Sequence, residues 1–132
     1  MDAGRPTCRY DEIVKPLEAQ RPLYEVKANL FKGLAHPVRV RALEVLSAAD
    51  EVSVAELLDD TGLEASHLSQ HLAVLRRHNL VVAERRASQV YYRLAYPEVA
   101  ELLRVARSLL LEILDAGRQL ASSAELSSAE LP

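Results

Sequence analysis

A mainly α-helical chain carrying one small β-hairpin is predicted by three features of this 132-residue sequence. Apolar residues make up 49% of it and aromatics only 5%, so its core must be built from Leu, Val and Ala, which suits helices better than a β-sandwich. Apolar positions recur every three or four residues from Leu23 to Leu75 and again from Val99 to Ile113. Between those stretches, from Leu80 to Leu94, the period shortens to two and Val and Tyr take over. The expected order is α-α-α-α-β-β-α, in one domain, because a chain of this length holds one ordinary core and not two.

Residues 1–20, with Pro6 and Pro16, are expected to form a loosely held arm with a short helix near Tyr10–Val14. The domain proper is expected over residues 21–120. Its first helix carries Leu23, Val26, Leu30, Phe31 and Leu34 on one stripe and ends at Gly33 and Ala35-His36-Pro37, since the residue before a proline leaves the α region. Pro37 then suits the first position of a second helix, with Val40, Leu43 and Leu46 inward and Arg39, Arg41 and Glu44 outward. His36 is expected to satisfy that helix end. Ala48–Val52 reads as a polar connection. Ser53 and Glu56 have capping-box spacing and open a third helix, Val54 to about Asp60, which Gly62 closes in a left-handed conformation. A fourth helix from Ala65 buries Leu68, Leu72 and Leu75 and stops at His78-Asn79.

Strands are expected at Leu80–Arg86 and Gln89–Leu94, turning at Ala87-Ser88. Tyr96-Pro97 opens a long fifth helix to about Leu120. Its apolar residues Val99, Leu103, Ala106, Leu110, Ile113 and Gly117 alternate four and three like a helix-pairing seam. Leu102, Leu109 and Leu114 widen the stripe beyond what one small core uses, which points to a second chain. Residues 121–132 read as a frayed tail.

Cys8 is the single cysteine, which excludes an intrachain disulfide and a zinc cage built from cysteines. The N-terminus shows no signal-peptide pattern, and Arg104, Arg107 and Glu112 interrupt the longest apolar segment, so a cytoplasmic protein without a membrane span is expected. The net charge is −3, yet its distribution is uneven. Glu64–Arg93 holds five Arg against two acids, whereas Ala48–Leu63 holds five acids and no base. A basic face inside an acidic protein can meet phosphate, because binding follows the local field.

Two short helices joined by a glycine-containing turn and followed by a hairpin make a winged helix-turn-helix. The fourth helix carries Ser66, His67, Ser69 and Gln70 in its first two turns, hydrogen-bonding side chains suited to base edges in a major groove. Arg76 and Arg77 at its far end, with Arg85, Arg86, Ser88 and Gln89 on the hairpin, suit phosphate or minor-groove contact.

Three segments resemble the ArsR/SmtB family of bacterial repressors: Leu34-Ala35-His36-Pro37-Val38-Arg39, the run Leu63–Val81, and Gln89-Val90-Tyr91-Tyr92-Arg93-Leu94. The resemblance spans roughly Leu23 to Leu114. It implies a dimer joined through the first and fifth helices, with Leu23, Val26, Leu30, Val99, Leu103, Ala106, Leu110 and Ile113 at the interface. It also implies binding of double-stranded DNA at an imperfect inverted repeat, with repression relieved by a ligand whose identity the sequence does not give. Neither of two common metal sites of that family has its ligands here: Ser53 and Ala55 stand in place of a cysteine pair, and no His follows His78. Glu64 replaces the usual Ser or Thr cap, and the wing tip lacks Gly.

His67 and His71 have the i, i+4 spacing of metal ligands but no third ligand nearby in sequence, so DNA contact for His67 and packing or a backbone hydrogen bond for His71 are expected. No catalytic constellation, phosphate loop or cofactor site is visible. Asp59-Asp60 read as surface charges. Two other readings of the same fold stay open at this level: a metal- or redox-responsive sensor using His67, His71 or Cys8, and a dimeric interaction module with weak DNA affinity.

Overall fold

The structure, a computed structural model, describes residues 21–130, so the arm expected over residues 1–20, with Cys8, lies outside them. Its elements are α1 (Leu23–Leu34), α2 (Pro37–Ser47), β1 (Val52–Ser53), α3 (Val54–Thr61), α4 (Ala65–Arg77), β2 (Val81–Arg86), β3 (Gln89–Leu94) and α5 (Glu98–Glu130).

The helix ends follow from local chemistry. His36 is the N-cap of α2, its Nδ1 accepting a hydrogen bond from the Val38 amide at 3.1 Å, with Pro37 next. Ser53 and Glu56 close a full capping box at α3: the Glu56 amide donates to Ser53 Oγ at 3.1 Å, and the Ser53 amide donates to Glu56 Oε1 at 2.9 Å. Gly62 ends α3 at φ 70° and Asn79 follows α4 at φ 60°, the left-handed conformation that Gly and then Asn adopt most readily. The Leu80 amide donates back to the Leu75 carbonyl at 3.0 Å, which turns the chain directly into β2.

The sheet has three antiparallel strands in the order β1-β3-β2, not the two that sequence spacing predicts. Val52 pairs with Tyr92 and Ser53 with Tyr91, so the expected polar connection ends in an edge strand. Two residues are too few to show an alternation, and Ser53 already served as the helix cap. The β2–β3 register runs from Val81 opposite Leu94 to Arg86 opposite Gln89. Of the two turn residues only Ala87 has positive φ, at 56°, the sign pattern of a type II′ turn with Ala where Gly is usual.

The core gathers one face of each element. Leu43, Leu57, Leu68 and Leu75 are fully buried, joined by Leu46, Val52, Leu72, Leu80, Val81 and Tyr92. Val99 belongs to this cluster at 5% exposure, so it anchors α5 on its own protomer and is unavailable to a second chain, contrary to the interface role expected of it. Leu30 and Leu103 also lean on the core and are half-buried.

Two further expectations change. Gly33 does not end α1, which continues through Leu34; a Cβ at Gly33 would lie 2.5 Å from Cγ of the His78 ring, so the glycine permits close approach of α1 to the end of α4. And α5 extends past the end expected near Leu120, running 33 residues to Glu130, roughly 50 Å at 1.5 Å per residue. Gly117 is the one helix-weakening residue in that stretch, and Ala, Leu, Glu and Ser on either side continue the helix. From Arg104 to Ala124 every α5 residue is exposed.

Gly33→Ala is expected to lower thermal stability by about 1–3 kcal/mol through overpacking against His78. Adding His78→Ala to the same chain should recover part of that loss in thermal melts.

Candidate nucleic-acid interface

Helix α4 has two faces of opposite character. Leu68, Leu72 and Leu75 are 0%, 2% and 0% exposed, while Ser66, His67, Ser69 and Gln70 all lie in solvent on the other side of the first two turns. The N-cap Glu64 makes no side-chain bond to the helix, so no side chain of its own caps the first-turn amides. The helix dipole favours an anion at that end, whereas the Glu64 carboxylate beside it opposes one.

Side-chain contacts fix the orientation of α4. Arg41 grips Asp60 through two parallel hydrogen bonds of 2.9 Å, tying α2 to α3, and this holds the Asp60 carboxyl below its ordinary pKa. Arg39, expected outward, is instead half-buried. Its Nε donates to the Gly33 carbonyl at 2.8 Å, Nη2 to the Lys32 carbonyl at 3.3 Å, and Nη1 lies 3.2 Å from His71 Nδ1. One guanidinium thus closes the C-terminus of α1 and reaches α4. The His36 ring packs against His71 with centroids 4.2 Å apart. His71 is therefore a packed, side-chain-bonded residue, and burial first, then the positive fields of His36, Arg39 and His67, lower its pKa. Neither Arg39 nor this histidine joint carries a signal in the sequence, because its members are far apart in the chain.

The wing presents its cations unequally. Arg76 donates to the Tyr92 hydroxyl and stands over that ring, so it braces α4 against β3. Arg86 donates to Glu51, lies 3.9 Å from Glu84 and covers the Tyr91 ring at 4.0 Å. Arg77, Arg85 and Arg93 are exposed and make no ion pair or hydrogen bond among the described residues. Ser88 and Gln89 are exposed at the tip. Of the six side chains expected at phosphates, Arg76 and Arg86 are thus engaged within the protomer, and Arg93 is a further open cation that the expected set omits.

A leucine-anchored second helix of a helix-turn-helix, flanked by a three-stranded wing with open arginines, defines a winged helix-turn-helix DNA-binding protein. Residues 34–84 match the model of the family described as "Helix-turn-helix domain". The chain is 53% identical over 94 residues to the uncharacterized HTH-type transcriptional regulator Rv0081 of Mycobacterium tuberculosis, covering 70% of this chain and 82% of that one. The crystal structure of Rv0081 superposes with a TM-score of 0.68 at 50% identity, covering 74% of this chain and 97% of that one. The solution structure of the homodimeric winged helix-turn-helix domain Mb0332 of Mycobacterium bovis, a possible ArsR-family regulator, gives a TM-score of 0.63 at 29% identity, over 73% of this chain and 86% of that one. The chain belongs to the winged helix-turn-helix transcriptional regulators of the ArsR/SmtB family. No helix among the described residues is long and apolar enough to cross a membrane.

Because His71 binds its proton more weakly folded than its ordinary value of about 6.5, the unfolded chain takes up that proton first as pH falls. Thermal stability should hold at pH 7.5 and decline as pH drops below about 6.5. His71→Gln should flatten that part of the profile in melts recorded from pH 7.5 to 5.

Proposed function

We propose that this protein is a homodimeric cytoplasmic repressor that occupies an imperfect inverted repeat in promoter DNA. The observation that carries this reading is the division of α4, whose polar first turns stand free while its leucines are locked in the core. Ser66, His67, Ser69 and Gln70 read base edges. Arg77 and Arg85, with Arg93, Ser88 and Gln89 beside them, hold backbone phosphates. The two common metal sites of the family lack their ligands here, with Ser53 and Ala55 in place of the cysteine pair and no His after His78, so this reading calls on no metal at either.

A second chain completes the particle. Val105, Leu109, Leu110, Ile113 and Leu114 are between 49% and 58% exposed on α5, and Phe31 on α1 is 52% exposed, apolar surface that one protomer leaves uncovered. With Val99 removed from the expected set, the interface consists of Leu23, Val26 and Leu30 on α1 with Leu103, Ala106, Leu110 and Ile113 on α5. Pairing across α5 places two recognition helices on one side of a two-fold axis, which matches two half-sites about one helical turn apart.

Three outcomes are expected. In fluorescence anisotropy with fragments selected from genomic DNA, Gln70→Ala should relax sequence preference and cost about 1–3 kcal/mol per half-site contact. Arg85→Ala should weaken all duplexes alike and reduce the slope of log K against log salt by about one per protomer. Leu110→Glu should yield monomers in sedimentation velocity and lose high-affinity binding; a variant that stays dimeric counts against the α5 interface.

A further inference from the structure

The wing carries a latch that links β2 to the chain segment just before β1. Arg86 stands at the last position of β2, beside the turn, on the wing that the proposed function sets against DNA. Instead its guanidinium folds back over the Tyr91 ring on β3, at 4.0 Å from the centroid, and donates to Glu51, which sits immediately before β1. Glu84 adds a second carboxylate at 3.9 Å. The side chains of Arg86 and Glu51 are 46% and 40% exposed, so the pair is open to solvent and to exchange. The neighbouring Arg85, one residue earlier on β2, has no such partner among the described residues.

We propose that Glu51 is an affinity-setting residue of the DNA-binding surface, a carboxylate that holds Arg86 off the duplex until a phosphate displaces it. This deepens the DNA-binding reading and rests on it. A phosphate lies every 1.7 Å along duplex DNA, so a docked wing offers Arg86 several acceptors in place of one carboxylate. The exchange moves one side chain and leaves Glu51 to solvent, and it takes a share of the electrostatic attraction that duplexes of any sequence would otherwise receive. Glu51 thereby lowers non-specific binding while leaving the base-reading helix untouched.

The test uses full-length protein and a random-sequence 30-base-pair duplex at about 100 mM salt. Glu51→Gln is expected to tighten binding about five-fold or more, and to do so by less than two-fold when Arg86→Ala is also present. Circular dichroism melts of each variant should stay near the parent, since exposed ion pairs add little to stability. Equal tightening in both backgrounds would mean that Glu51 acts only through its general field, and would overturn the latch. Unchanged or weaker binding by Glu51→Gln would mean that the pair is a static strut, and would overturn it equally. A parent chain that binds no duplex at all would remove the DNA-binding reading itself, a result separate from either of these.

Discussion

The leucine face of α4 is the constraint on which the rest depends. Leu68, Leu72 and Leu75 lock one side of a 13-residue helix into the core, where α4 packs against α1, α2 and β2, and only because they do can the opposite side spend its Ser, His and Gln on a partner. A helix this short has marginal stability in isolation, so its pose comes from tertiary packing. Each neighbouring feature constrains one degree of freedom of that pose. Arg41 with Asp60 joins α2 to α3, Arg76 with Tyr92 props the far end on the sheet, and Asn79 turns the chain into β2 within two residues. Packing on α4 and display from α4 are the same fact seen from two sides.

Most of the architecture was legible because its signals are local. The Ser53–Glu56 box, Gly62, Asn79, the Pro37 start and the change of period at Leu80 each involve residues within four positions of one another, and each appears where the spacing placed it. The misses share the opposite property. Val52–Ser53 becomes a strand only because Tyr91 and Tyr92, about 40 residues later, offer an edge. Gly33 reads as a helix stop until His78 is seen against it. Val99 shares the heptad spacing of an interface, but α2 claims the first turn of α5 before any partner could. The base-reading candidates were visible as polar residues on a leucine-striped helix, whereas the standing of each arginine was not, because Glu51 and Tyr92 find theirs through the fold.

The distribution of charge explains how an acidic protein can face DNA. The open arginines lie on α4 and the wing, while Asp60 and Glu51 from the acidic stretch are each taken up by an arginine, Arg41 in one case and Arg86 in the other. Two acids of that stretch are thus spent inside the protomer, and the net charge of −3 is a poor guide to the field over α4. Glu64 is the exception, an unbonded carboxylate at the very start of the helix. Its repulsion of an anion opposes the attraction of the amides beside it.

Three of the chain's four imidazoles, His36, His71 and His78, lie where the end of α1 meets α2 and α4, and the fourth, His67, stands exposed on the other side of α4. A spectroscopic or chemical probe selective for that ring therefore reads three half-buried signals from one joint, the one between the helix that would meet a sister chain and the helix that would meet a groove, and one exposed signal from the groove side. The protein carries its own label at the place where those two surfaces are mechanically connected.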